Sequence, residues 1–437
     1  MPLFTVSNGL TITAESEAAA NAVDAFTDNL LGLRQALDLI PDQADQFPET
    51  PMVQACAATY FIYAQETAML TKADVFLEKA EAGLATLTER ETMFIQAMRL
   101  FQRNRFHEAL GVLELLTTRW PEDLLAAKVA EFLYYCIGQH YSGLRFLEHM
   151  ERLEKHHPAH AGYWSMRSFA TELCGDYALA QLQAEKSLTL DAEQPWAHHT
   201  LAHVLSRTGR EGSERQAMER CLPLWRKSNR GIHSHNAWHL GLLYLDALDM
   251  AKVHTLIQED LWGITPDAVF EQLDTTALLW RMDLCGESTA DSLWSQVADH
   301  AEAHAGQCII PFLEGHYAYA LARAGRVDAV NAMVQKAIRR AEADDLEARE
   351  VWAPIGVRLV QACAAFGAGR QKEGVDWLEP VADFIPRVGG SDAQDDLFRQ
   401  ALIAGLVAAG RPSEAQGAWK SYYGTKPLTD YDRRIIG

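Results

Sequence analysis

Gly175-Asp176-Tyr177-Ala178-Leu179-Ala180 is the stretch that decides the fold of this 437-residue chain. A glycine, a short polar residue and an aromatic ahead of an Ala/Leu run read as the end of one helix and the start of the next. Related punctuation stands at Asn104-Arg105-Phe106-His107-Glu108-Ala109, Gln139-His140-Tyr141-Ser142-Gly143 and Gly209-Arg210-Glu211-Gly212. The aromatic positions fall roughly 35 residues apart, the period of a two-helix repeat. Pro121, Pro158 and Pro195 keep a similar step, and Ala-Gly-Arg returns at Gly325-Arg326, Gly369-Arg370 and Gly410-Arg411. Similar helix pairs are therefore expected throughout.

Between these marks, apolar residues recur at helical spacing through segments of about 14 to 20 residues. Strand signals are confined to the start, where Leu3-Phe4-Thr5-Val6 and Leu10-Thr11-Ile12-Thr13 flank Asn8-Gly9, a hairpin turn pair. The predicted fold is all-α: tetratricopeptide-like helical-hairpin repeats forming a compact superhelix with a concave face. The spacing suggests an N-terminal helical segment over 1–87, central repeats with a His- and Trp-lined groove over 88–345, and C-terminal helical repeats over 346–437.

Composition narrows the function classes. Hydrophobic residues make up 48% and charged residues 22%, as in a well-packed globular protein. A formal charge of −20 without a basic run argues against nucleic acid or anionic lipid as partner. No stretch approaches the roughly 20 apolar residues of a membrane span, and the first residues lack a signal-peptide pattern, so a cytoplasmic address is expected. Seven scattered cysteines without Cys-x-x-Cys spacing read as reduced packing residues.

Two stretches point to a site. Trp196-Ala197-His198-His199-Thr200-Leu201-Ala202-His203 and His233-Ser234-His235-Asn236-Ala237-Trp238-His239 each place two histidines four residues apart, His199/His203 and His235/His239, on one helix face. A Trp-x-x-His near a helix start also serves plain packing, but repeat geometry sets equivalent helices side by side and would bring the two pairs together.

From about Tyr163 to Leu284 the order of motifs resembles the tetratricopeptide-repeat protein 38 family. Phe169-Ala170-Thr171-Glu172-Leu173-Cys174-Gly175-Asp176-Tyr177, Trp196-x-x-His199, Ala202-His203-Val204, Gly209-Arg210, His235-Asn236-Ala237-Trp238-His239 and Leu278-Leu279-Trp280-Arg281 follow in series. Phe312-Leu313-Glu314-Gly315-His316 and Gly389-Gly390-Ser391 through Phe398 continue it. The chain departs from the pattern at Ser206, where an acidic residue is expected, and at Asp392, where histidine is usual. The resemblance implies the fold and the groove location more firmly than a reaction.

The candidates for chemistry are His199, His203, His235 and His239, with Asp274 as a carboxylate able to orient an imidazole. Glu172, Trp196, Asn236, Trp238, Trp280, Arg281, Glu314 and His316 are candidate ligand-binding residues. Asp274 and Arg281 lie two turns apart on one helix and read either as an ion pair between repeats or with Arg281 as an anion clamp. His156-His157-Pro158-Ala159-His160 reads as a solvated loop. Zn²⁺ is one use of such imidazoles, but no His-Glu-x-x-His motif or dedicated third ligand accompanies them, so no metal is predicted to be required. Three functions stay open: a protein binding a small polar molecule or short peptide end, a cofactor-independent or metal-assisted enzyme using histidine acid–base chemistry, and an assembly scaffold. Oligomer formation is compatible with each.

Overall fold

Helix ends repeat one geometry along the chain, and that geometry explains the punctuation. In the computed structural model, which describes residues 1–209, 213–287, 289–424 and 426–437, the Gly325 N–H donates to the Ala322 carbonyl at 3.0 Å and the Arg326 N–H to the Leu321 carbonyl at 2.9 Å. Gly369/Arg370 and Gly410/Arg411 make the same two bonds. The glycines have φ of 73°, 74° and 78°, in the left-handed region where a Cβ is penalised. Asn104 takes the same place at φ 57°, bonding Phe101, while Arg105 bonds Leu100. Asparagine is one of the few other residues that tolerates this conformation. Residues 210–212 of the fourth expected turn lie outside the described residues.

These turns join helices into consecutive hairpins, and the fold is all-α and tetratricopeptide-like. Among the described residues the one sheet is the expected two-stranded hairpin, Leu3–Thr5 antiparallel to Thr11–Thr13. Its turn is set by Gly9 at φ 84° and by the Asn8 side chain, which accepts the Leu10 N–H at 3.0 Å.

The chain divides into two compact units, Met1–Ile137 with Ser142–Leu201 and Pro223–His233, and Gly138–Tyr141 with Ala202–Leu222 and Ser234–Gly437. Their segments alternate along the sequence. Spacing reports where helices turn, not which distant helices pack together.

In the first unit, Glu89–Gln102 pairs with Phe106–Arg119, and Ala161–Leu173 with Tyr177–Leu190. The His156–His160 stretch is not the solvated loop expected. His157 is buried with Nε2 2.7 Å from the Pro121 carbonyl, and His160 caps the next helix by accepting the Tyr163 N–H.

In the second unit, Val269–Leu284 pairs with Asp291–Ala301, Pro311–Arg323 with Val327–Ala341, Val357–Gly367 with Gln371–Leu378, and Asp392–Ala408 with Pro412–Tyr423. The 392–408 helix also packs against Val269–Leu284 and against Asp430–Ile436. It buries Asp392, Gln394, Asp395, Asp396, Arg399 and Gln400 together. Repeat packing alone would use apolar residues there.

All seven cysteines are free, five of them buried. Among the described residues no helix is long and apolar enough to cross a membrane.

Asn104→Ala should destabilise the protein by about 1 kcal/mol, since alanine meets the full left-handed penalty. Asn104→Gly should equal or exceed the native stability. Urea unfolding of both variants measures the difference.

Candidate functional site

The site in the second unit begins on the helix Arg230–Asp246, whose residues from Ser234 onward belong to that unit. Asp274, on Val269–Leu284, accepts the Ser234 hydroxyl at 3.0 Å and lies 3.1 Å from His235 Nδ1 through its other oxygen. One buried carboxylate thus orients the imidazole of His235, which is itself partly exposed. The His235 ring stacks on Trp238, with centroids 5.2 Å apart, and meets His239 edge-on at 4.8 Å.

His239 lies 4.5 Å, ring to ring, from His203. His203 Nδ1 is 3.0 Å from Asp392 Oδ1. The second oxygen of Asp392 accepts Arg207 Nε and Nη2 at 2.9 and 2.6 Å, and Arg207 Nη1 donates to Asp396 at 2.8 Å. Burial alone would push the Asp392 carboxyl up, but Arg207 and His203 outweigh it and hold it well below the usual carboxylate range. The result is two imidazole–carboxylate pairs flanking His239. A carboxylate behind an imidazole fixes its tautomer and raises its basicity, the arrangement that acid–base chemistry uses.

His203 also borders a cavity of about 30 Å³ that Ser206, Arg207, Arg281, Lys426 and Tyr431 help to line. That is room for more than one water-sized group. Arg281 is 2% exposed. It bonds the Gln400 side chain at 2.9 Å and the Ala393 and Ala277 carbonyls at 2.9 and 3.2 Å, and its guanidinium lies over Trp238. Of the two readings of Asp274 and Arg281, the ion pair is not formed. Seven residues separate the two by roughly 10 Å along a helix, and each has other partners.

The remaining candidates are placed differently. Asn236 is buried on the same helix as His235. Trp280 stacks on Tyr319 at 3.9 Å and fills the core. His316, read as a ligand-binding residue, is a core histidine. Its Nδ1 lies 2.9 Å from the Phe312 carbonyl, its ring sits among Phe312 and Phe398, and burial pulls its pKa down to about 4. Glu314 is not at the site either. It accepts the Gly306 and Cys308 N–H groups, both at 2.7 Å, and burial pushes its carboxyl up to about 7 against those bonds. Glu271 holds Gly263, Ile264 and Thr265 in the same manner, so a first-turn glutamate here anchors the preceding loop.

In the first unit, Trp196 stacks on His199 with centroids 4.1 Å apart, and Phe169 meets both rings edge-on. The Trp196 indole donates to Glu131 at 2.7 Å, and Lys128, the buried ion-pair partner of Glu131, lies over the same ring. Glu172 is buried in this unit as well.

Arg207, Asp396, Gln400, Lys426 and Tyr431 escaped the sequence reading. A signal for the first was available, because Arg207 stands one turn beyond His203 on the same helix. Asp396 stood inside the Gly389–Phe398 motif, whereas Gln400, Lys426 and Tyr431 come from stretches with no motif of their own.

No family model matches the chain. Its fold is similar to that of a monomeric mutant of IFIT1 solved with Gppp-AAAA, at 12% identity over 93% of this chain and 99% of that one, with a TM-score of 0.38. It is also similar to a chain of Naa15/Naa10 bound to HypK-THB, at 13% identity over 96% of this chain and 64% of that one, with a TM-score of 0.22.

Because Asp274 and Arg281 share no partner, the effects of Asp274→Asn and Arg281→Met on unfolding free energy should add within about 0.5 kcal/mol in the double variant. Arg207→Met should cost about 3 to 5 kcal/mol by stranding Asp392 and Asp396. The depressed Asp392 carboxyl contributes stability above its unfolded value near 4, and that contribution is lost as the pH falls through the folded value. The Arg207→Met penalty should therefore be largest at neutral pH and shrink in acid, as urea titrations across that range would measure.

Proposed function

We propose that this chain is a helical-repeat binding protein whose second unit takes a small polar molecule, or the end of a short peptide, into the cavity beside His203. The observation that carries this reading is the gathering of His203, His235 and His239, two of them oriented by aspartates, with His203 itself on the wall of a cavity lined by charged residues. Buried polar groups cost stability unless paired, and such a density of them is retained where a ligand needs recognition. The motif series is read as kinship with the tetratricopeptide-repeat protein 38 family. Both departures from its pattern supply this one site, Ser206 on the cavity wall and Asp392 against His203, which supports treating those positions as functional. Free cysteines fit a reducing, cytoplasmic setting.

One observation favours a second reading, acid–base catalysis. His235 is oriented by Asp274 and is the most accessible of the three imidazoles, as a proton-transferring group must be.

Denaturing the purified protein and analysing the released small molecules by mass spectrometry tests the proposal. A stoichiometric organic compound should be released from the native chain, and His203→Asn and His239→Asn should lose it while lowering stability by only about 1 to 2 kcal/mol. Stoichiometric zinc lost with His235→Ala would replace this reading with a metal centre. Retention unaffected by either His203 or His239 substitution would refute it. Conversion of the released compound by the native chain, abolished by Asp274→Asn, would establish the enzymatic reading.

A further inference from the structure

We propose that the cavity beside His203 holds the anionic group of its ligand, a carboxylate or other oxyanion, between Arg281 and the 426–437 segment that carries Lys426 and Tyr431. The inference rests on the reading that this cavity takes a ligand, and it names the chemistry of the part that enters.

Three observations carry it. Arg281 is buried with only neutral acceptors, the side-chain carbonyl of Gln400 and the main-chain carbonyls of Ala277 and Ala393. Among the described residues no carboxylate lies within 4.0 Å of it. A guanidinium carries five N–H donors, so these three bonds leave donors for another acceptor. Asp396 and Asp246 act on it from beyond contact distance, and a buried cation with no contacting counter-charge is expensive, an expense that an entering anion reduces.

Second, the Tyr431 and Ser206 hydroxyls are buried without a hydrogen-bond partner among the described residues, and both residues line the cavity. Tyr431 is 2% exposed. Each hydroxyl can donate to an oxyanion. Third, the other cations on the wall divide by availability. Arg207 is held by Asp392 and Asp396, whereas Lys426 makes no close ion pair: it lies 3.9 Å from Asp432, whose carboxylate also accepts the Thr429 N–H, and 5.5 Å from the Tyr423 ring centroid, with Asp246 acting on it at longer range. A neutral ligand would satisfy the hydroxyls and leave Arg281 without a contacting counter-charge. A cationic one would meet Arg281, Lys426 and Arg207 together.

Asp246 is the opposing charge. It lines the same cavity, on the end of the helix that carries His235 and His239. Burial pushes its carboxyl up to about 6, with Lys426 and Arg281 pulling it down and Asp432 pushing it up. Arg207 and Asp396, paired with each other, and His203 complete the charged and titratable wall with Tyr431. Lowering the pH from 8 to 5 neutralises Asp246 and removes its repulsion, so an anion should bind more tightly at the acidic end.

Isothermal titration of the full chain with sodium formate, acetate and inorganic phosphate, against sodium chloride at matched ionic strength, tests the inference. At least one oxyanion should bind saturably and chloride should not. Tyr431→Phe, which keeps the ring, should weaken that binding about tenfold, and Arg281→Met should abolish it. Asp246→Asn should flatten the pH dependence. Absence of saturable heat from every oxyanion, equal binding of chloride, or native affinity in Tyr431→Phe would overturn the anion site. Those results would leave the ligand-binding reading intact if the purified chain still released an organic compound. Oxyanion binding by a chain that releases none would support the anion site and refute that reading.

Discussion

The hydrogen bonds that Arg207 donates to Asp392 and Asp396 are the constraint on which the polar interior of the second unit depends. Asp392 is ionised only because Arg207 and His203 outweigh its burial, and an ionised Asp392 is what holds the His203 ring against His239. The 392–408 helix can then bury six polar residues instead of an apolar stripe. Its remaining polar positions turn to other work, with Gln400 and the Ala393 carbonyl receiving Arg281. One helix thus sets the positions of both His203 and Arg281.

The fold was legible because helix ends are local. A left-handed residue after a helix has to be glycine or a close substitute, and Ala-Gly-Arg recurs wherever that geometry recurs. Which helices pack side by side depends on long-range contacts, and the interleaved units show how little of that is written in spacing.

The site was legible in part for a related reason. His235 and His239 share a helix face with Trp238, so their neighbourhood is nearly local and could be read. Asp274 was identifiable as a carboxylate able to orient an imidazole. That it serves His235, and not Arg281, follows from helix packing. The partners of Glu314 and His316 were not legible, because residue type says nothing about direction. A glutamate in the first turn of a helix is drawn to the free N–H groups of the preceding loop, and a histidine among phenylalanines gives its proton to the nearest carbonyl.

Trp196 and His199 show the same residue types used another way. In the first unit the indole is stacked on the imidazole, bonded to Glu131 and covered by Lys128, so its polar edge is satisfied by the chain itself. Among the described residues Arg281 donates to neutral acceptors only, and the hydroxyls of Tyr431 and Ser206 have none. A polar cluster closed on its own partners stabilises a repeat, whereas one that leaves buried donors facing a cavity has stability to gain from an incoming acceptor. That difference in satisfaction, rather than the count of histidines, is what sets the proposed binding site apart from a packing motif.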